Sequence, residues 1–146
     1  MNAGESSGGS RKILIRGVNW LGDAVISLPA IQRLREARPN DSITVLTEDK
    51  LFELWAGHSP ADDVIQFRKD ENILKLARRL RGKRYDIAVI FPNSFRSALE
   101  VFLARIPVRI GYGGNLRGPM LTTVVRRRQN ALTMRKRSAA VAPTAS

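Results

Sequence analysis

Residues 12–36, KILIRGVNWLGDAVISLPAIQRLRE, place a carboxylate, Asp23, where a glycine-bounded loop gives way to a helical pattern. Loops in this position often cradle a phosphate, and two fingerprints test for that. The dinucleotide fingerprint needs three close glycines, whereas GVNWLGD supplies Gly17 and Gly22. The P-loop needs G-x-x-x-x-G-K-[ST]. Gly17 and Gly22 have that spacing, but Asp23 stands at the lysine position, where a carboxylate would repel a triphosphate. Nucleotide hydrolysis through this loop is therefore not expected.

Two roles remain open for Asp23. As a helix cap it would accept backbone N–H groups in the first turn, worth roughly 0.5–2 kcal/mol. As a base it would take a proton at the mouth of a sheet. The positive end of a helix favours the ionised carboxylate but lowers its basicity, so it suits reactions whose leaving group is already good. A sugar leaving from a nucleotide diphosphate meets that condition. A glycosidase would need a second, protonated carboxyl group. The two roles are compatible.

The elements that must position this acid can be read from periodicity. KILIRG is a short apolar strand ending at Gly17. From Asp23 onward Ala24, Leu28, Ile31 and Leu34 share one helical face, and Pro29 is expected to kink that helix or split off its first turn. SITVLT (42–47) predicts a strand, DKLFELWAG (49–57) a short helix and DVIQF (63–67) a third strand. ENILKLARRLRG carries Ile73, Leu76, Ala77 and Leu80 on one face. YDIAVIF (85–91) reads as a strand buried on both sides, SFRSALEVFLAR (94–105) as a helix, and VRIGY (108–112) as a strand. MLTTVV offers one last strand. Strand and helix alternate with short links, so the expected fold is α/β, with a mainly parallel, Rossmann-like sheet between flanking helices. In such sheets ligands sit beyond the C-terminal strand ends, which puts residues 17–24 at the expected site.

The chain has 146 residues, 43% of them hydrophobic, enough for one domain with a real core. Its formal charge is +12, and half of that excess sits in residues 126–146, which hold six cations and no acid. This balance suits an anionic partner: a phosphorylated substrate, a lipid surface or nucleic acid. The absence of cysteine excludes disulfides, thiolate catalysis and zinc–thiolate sites, and a single histidine, His58, leaves no room for a histidine-based metal centre. Asp62-Asp63 is not the spaced acid pair of a metal-dependent transferase, so neither a metal nor a cofactor is expected. Residues 1–10, MNAGESSGGS, read as a flexible leader without the apolar core of a signal peptide, and no apolar run is long enough to span a membrane. A cytoplasmic location is expected.

RGVNWLGDAVISLPAIQRLRE, followed by YDIAVIFPNSFRSALEVFLARIPVRIGYGGNLRGPMLT, resembles the N-terminal half of the lipopolysaccharide heptosyltransferases, nearest to the type that adds the second heptose. The resemblance covers roughly residues 11–123, with NWLGD and PNSFRSAL as its most specific pieces. It implies one half of a GT-B glycosyltransferase, in which two Rossmann-like domains face each other across a cleft and transfer sugar with inversion and without a metal. It implies ADP-heptose as donor and, as acceptor, a phosphorylated lipid A core anchored in the inner membrane. On this resemblance Asp23 matches the catalytic base. Asn19, Trp20, Leu21 and Gly22 match the loop presenting it, and Asn93 and Ser94 the loop after the fourth strand. Arg96, Arg109 and Arg117 are candidates, from placement, for holding the acceptor phosphates, because the arginine fork pairs two phosphate oxygens.

The resemblance implies that the donor nucleotide is held mainly by a C-terminal domain, which is expected to be absent from this chain. The expected organisation is a leader (1–10), an acceptor-side domain (11–125) and a basic tail (126–146), inactive as a transferase by itself. A partner domain that docks on a separately encoded half shares the same fold. A nucleic-acid binding module is the rival from another class, suggested by RRRQNALTMRKR but lacking an aromatic stacking platform or a recognition-helix pattern. RRLRGKRYD, with Arg78, Arg79, Arg81, Lys83 and Arg84, is either a solvated helix end or a patch for peripheral contact with the inner-membrane surface. Trp55 is expected in the core. Trp20 is open between core and site.

Overall fold

In the computed structural model, which describes residues 10–114 and 117–125, the expected alternation appears as a six-stranded sheet of order β3-β2-β1-β4-β5-β6. The strands are β1 (Lys12–Arg16), β2 (Ser42–Glu48), β3 (Asp63–Phe67), β4 (Ile87–Ile90), β5 (Val108–Tyr112) and β6 (Thr123–Val125). Every neighbouring pair is parallel. The helices are α1 (Leu21–Ala37), α2 (Phe52–His58), α3 (Ile73–Lys83) and α4 (Phe95–Leu103), with short 3-10 turns at Asp49–Leu51 and Gly118–Met120.

The two-residue period of the strands sorts the core into two layers. Ile13 and Ile15 face α1 and α2, where they pack with Ala24, Ile31, Val45 and Trp55. Leu14 points the other way, into a layer with Leu76, Leu80, Ala88, Ala98 and Val101 from α3, β4 and α4. Trp55 is fully buried, as expected. Asn72 caps α3 by accepting from the Leu74 and Lys75 N–H groups, and Ser94 caps α4 by accepting from Ser97 N–H. No helix among the described residues is long and apolar enough to cross a membrane.

Of the two outcomes expected at Pro29, a first turn split off from the helix does not occur. The α1 helix runs without a break from Leu21 to Ala37 through Pro29. The proline ring lies on the exposed face, where it meets solvent rather than packed neighbours. The missing N–H costs the Val25 carbonyl its intrahelical donor, and packing of Ala24 and Ile31 on the sheet carries the helix past it. Residues 1–9 of the leader and the basic tail lie outside the described residues.

After β1 the chain builds β2 and β3 on one side of the sheet, then crosses to place β4, β5 and β6 on the other. The strand order therefore reverses between β1 and β4. Outside their C-terminal ends lies the crevice where ligands bind in open α/β sheets.

Candidate functional site

Two loops frame this crevice. Residues 17–20 lead from β1 into α1, and residues 91–94 lead from β4 into α4. Their roots are tied to the sheet: Gly17 N–H donates to Leu46 O at 2.9 Å and Phe91 N–H to Arg16 O at 3.2 Å. A Cβ on Gly17 would lie 3.1 Å from the Trp55 indole, so this position is a close approach that only glycine fills without moving the core.

Asp23 is the third residue of α1, exposed at the mouth, and makes no side-chain hydrogen bond among the described residues. The cap position belongs instead to Trp20, which contributes no side-chain cap bond. The capping role therefore does not describe Asp23. Its charge complements the helix dipole, and its oxygens are open to solvent. Trp20 is 70% exposed, with Lys50 Nζ 5.1 Å from its ring centroid, so it covers the mouth rather than the core. Leu21 and Gly22 form the first turn of α1, and a Cβ on Gly22 would meet open space.

Each loop is held from beneath by a buried arginine. Arg16, the last residue of β1, is 3% exposed; its Nε donates to Glu100 Oε1 at 2.7 Å, and its Nη1 donates to Gly17 O at 2.6 Å and Asn19 Oδ1 at 3.0 Å. The Phe67 ring packs against the guanidinium at 4.6 Å. Arg117 is fully buried, and its Nη1 donates to Pro92 O at 2.5 Å and Ser94 O at 3.0 Å. Its Nε and Nη2 have no hydrogen-bond partner among the described residues, and burial pulls its pKa below the ordinary arginine value.

The proposed acceptor-binding arginines separate on this geometry. Arg96, in the first turn of α4, stays at the crevice; its guanidinium donates to Glu71 O at 2.9 Å and pairs with Glu100 at 3.4 Å, with the side chain 46% exposed. Arg117 is too deeply buried to reach a bound phosphate, and its work is to fix the 92–94 loop. Arg109 lies at the wrong end. It is the second residue of β5, near the N-terminal strand ends, and it donates to Met120 O and Ile106 O. In a parallel sheet that edge is the one opposite the crevice. RRLRGKRYD sits at this far edge as well, where α3 runs into β4. Asn93 and Ser94 are both at the crevice, exposed, with the Ser94 hydroxyl engaged in the α4 cap.

Sequence reasoning missed Arg16 and Glu100. The signal was present: Arg16 ends an otherwise apolar strand, and Glu100 is the only acid after Asp86.

Comparison with known proteins gives a consistent family. The sequence profile described as "Glycosyltransferase family 9 (heptosyltransferase)" matches residues 73–142, reaching into the tail. Lipopolysaccharide heptosyltransferase 2 of Escherichia coli is 34% identical over 119 residues, which is 77% of this chain and 34% of that protein. Lipooligosaccharide heptosyltransferase 2 of Haemophilus ducreyi is 36% identical over 73% of this chain and 32% of its own length. The solved structure of E. coli ADP-heptose LPS heptosyltransferase II superposes with a TM-score of 0.75 at 33% identity, covering 82% of this chain and 36% of that one. The chain thus spans about a third of the length of the curated relatives it matches.

Proposed function

From a chain that belongs to glycosyltransferase family 9, the heptosyltransferases, we propose an acceptor-side domain that takes part in transferring heptose from ADP-heptose to a phosphorylated lipid A core. Asp23 acts as the base. It removes the proton of the acceptor hydroxyl as that oxygen attacks the anomeric carbon, and the ADP leaves from the opposite face, which inverts the centre. ADP is a good leaving group, so no second carboxyl is required to protonate it. The observation that carries this reading is the position of Asp23. It is a solvent-open carboxylate, without a partner among the described residues, in the first turn of α1 beside the switch point of the sheet.

The arrangement supports distinct roles for its neighbours. Arg16 and Arg117 fix the two loops, Trp20 offers an apolar face to the sugar ring, and Asn19, Asn93, Ser94 and Arg96 line the acceptor side. The donor nucleotide needs a facing surface, which we assign to a second domain of the kind the longer relatives have room for. Because the acceptor is lipid-linked, the working protein meets the membrane surface peripherally, on the cytoplasmic side.

Two measurements test this. The chain titrated with a soluble heptose-phosphate acceptor binds it, yet with ADP-heptose alone it turns over little or nothing. Joined to the remaining two thirds of the E. coli relative it gains turnover, and Asp23→Asn in that fusion lowers turnover at least 100-fold while acceptor binding stays unchanged. Retention of turnover by the Asn variant would remove the base from Asp23.

A further inference from the structure

The edge of the sheet opposite Asp23 carries a second cationic site. The α3 and α4 helices end there, and the links into β4 and β5 enclose an open depression of about 690 Å³ lined by Arg78, Arg81, Arg84 and Arg105, with Tyr85 and Asp86 at its base. An adjoining hollow of about 530 Å³ shares Arg81 and Arg105 and adds Arg109 and Phe102. Arg109 is fixed by its two carbonyl acceptors, with its guanidinium 5.2 Å from the Phe102 ring centroid, so it forms a rigid wall. The side chains of Arg78, Arg81, Arg84 and Arg105 make no hydrogen bond or ion pair among the described residues. The one acid in the lining, Asp86, already accepts the Lys12 N–H at 2.8 Å.

A second, independent feature coincides with this cluster. Arg84 and Arg105 have φ of 57° and 60°, the only left-handed non-glycine residues described, and both line the same depression. Each follows the end of a helix, where glycine takes this conformation without a side-chain clash. The helix dipole explains cations in a last turn, such as Arg81 and Lys83. It does not explain arginine at two strained positions that glycine would fill more comfortably. Strain of this kind gathers where a side chain is needed for binding.

We propose that this depression is a binding site for a phosphate-rich ligand, a diphosphate or a phosphorylated headgroup, separate from the crevice at Asp23. Arginine forks donate to phosphate oxygens in pairs, and several cations on one concave surface match more than one negative charge. The proposal does not depend on the transfer reaction, since the site lies at the other end of the strands.

The test is calorimetric titration of the full chain with inorganic pyrophosphate, beside co-sedimentation with vesicles of phosphatidylglycerol and phosphatidylcholine. Arg84→Gly/Arg105→Gly relieves the left-handed strain while removing two cations, so its Tm stays level or rises while affinity falls at least tenfold. Arg78→Gln/Arg81→Gln leaves the backbone alone and weakens binding similarly. Arg38→Gln/Lys75→Gln, two exposed sites elsewhere, makes the same change in net charge and keeps the wild-type affinity. Binding of pyrophosphate identifies a free phosphate ligand, and arginine-dependent binding of vesicles alone identifies a headgroup. Equal binding by all variants, or binding of neither probe, would overturn the proposal.

Discussion

Replacing Glu100 by Ala should be among the most damaging single substitutions in the domain, and the reason lies in Arg16. Glu100 is fully buried, accepting from Arg16 Nε at 2.7 Å through one oxygen and facing Arg96 Nε at 3.4 Å through the other. Arg96, nearly half exposed, can turn to water. Arg16, 3% exposed, cannot, so the substitution strands a guanidinium whose remaining acceptors are Gly17 O and Asn19 Oδ1. Breaking a buried pair in this way costs about 3–5 kcal/mol. For a domain of this size one kcal/mol moves Tm by roughly 4 °C, so the melting temperature should fall by roughly 12–20 °C. Urea and thermal unfolding followed by circular dichroism measure it. Arg16→Met/Glu100→Leu removes both charges and should recover most of the loss, because the pair's desolvation offsets much of its attraction. Stability recovers there, but the tie from Arg16 to the 17–20 loop does not, so acceptor binding stays weak. A cost below about 1 kcal/mol for Glu100→Ala, or a double variant as unstable as the two single losses added together, would refute the buried-pair account.

Gly111→Ala would place a methyl group 2.6 Å from Arg117 Nη2, a side chain already fixed by Pro92 O and Ser94 O. Overpacking should cost about 1–3 kcal/mol, and an unchanged urea midpoint would show that Arg117 yields freely. Asp62 is held below the ordinary carboxyl value of 3.8, first by the Ile43 N–H and then by Arg35. A carboxyl with a depressed folded pKa stabilises above the unfolded value and loses that contribution as pH falls through the folded one. The gap in urea midpoint between wild type and Asp62→Asn should therefore be present at pH 7 and close in strong acid. It is a small gap, because the Asp62 side chain is 54% exposed, and one that persists unchanged at low pH would assign the effect to packing.

Much of the architecture was legible because period and punctuation agreed along the chain. Ile13, Leu14 and Ile15 announce an apolar strand, and Ala24 and Ile31 mark the buried stripe of the helix that follows. Pro29 does not split the helix, because a proline's local cost is visible in sequence while the tertiary packing that carries the helix past it is not. The structure sets Arg109 and Arg117 away from the open crevice for a different reason. Arginine is recognisable as a phosphate partner, but which end of a parallel strand it occupies, and whether it faces solvent, follows only from the register. Arg109 pairs with Ala88 near the start of β4, far from the mouth.

The same geometry shows why the crevice is built from buried arginines rather than apolar side chains. The two loops that frame it expose backbone carbonyls at Gly17, Pro92 and Ser94, and a carbonyl turned inward needs a donor. A long side chain with several N–H groups can rise from the core and satisfy two loop acceptors at once, which no apolar residue can do. Arg16 does so with a counterion, Glu100, and Arg117 does so with two nitrogens left over. The difference should appear on substitution. Arg16 and Glu100 are coupled and tolerate joint apolar replacement, whereas Arg117 has no acidic partner among the described residues to remove with it. Among the described residues its buried charge is met by the Pro92 and Ser94 carbonyls and the Ser97 hydroxyl, so its contribution is the shape of the 92–94 loop.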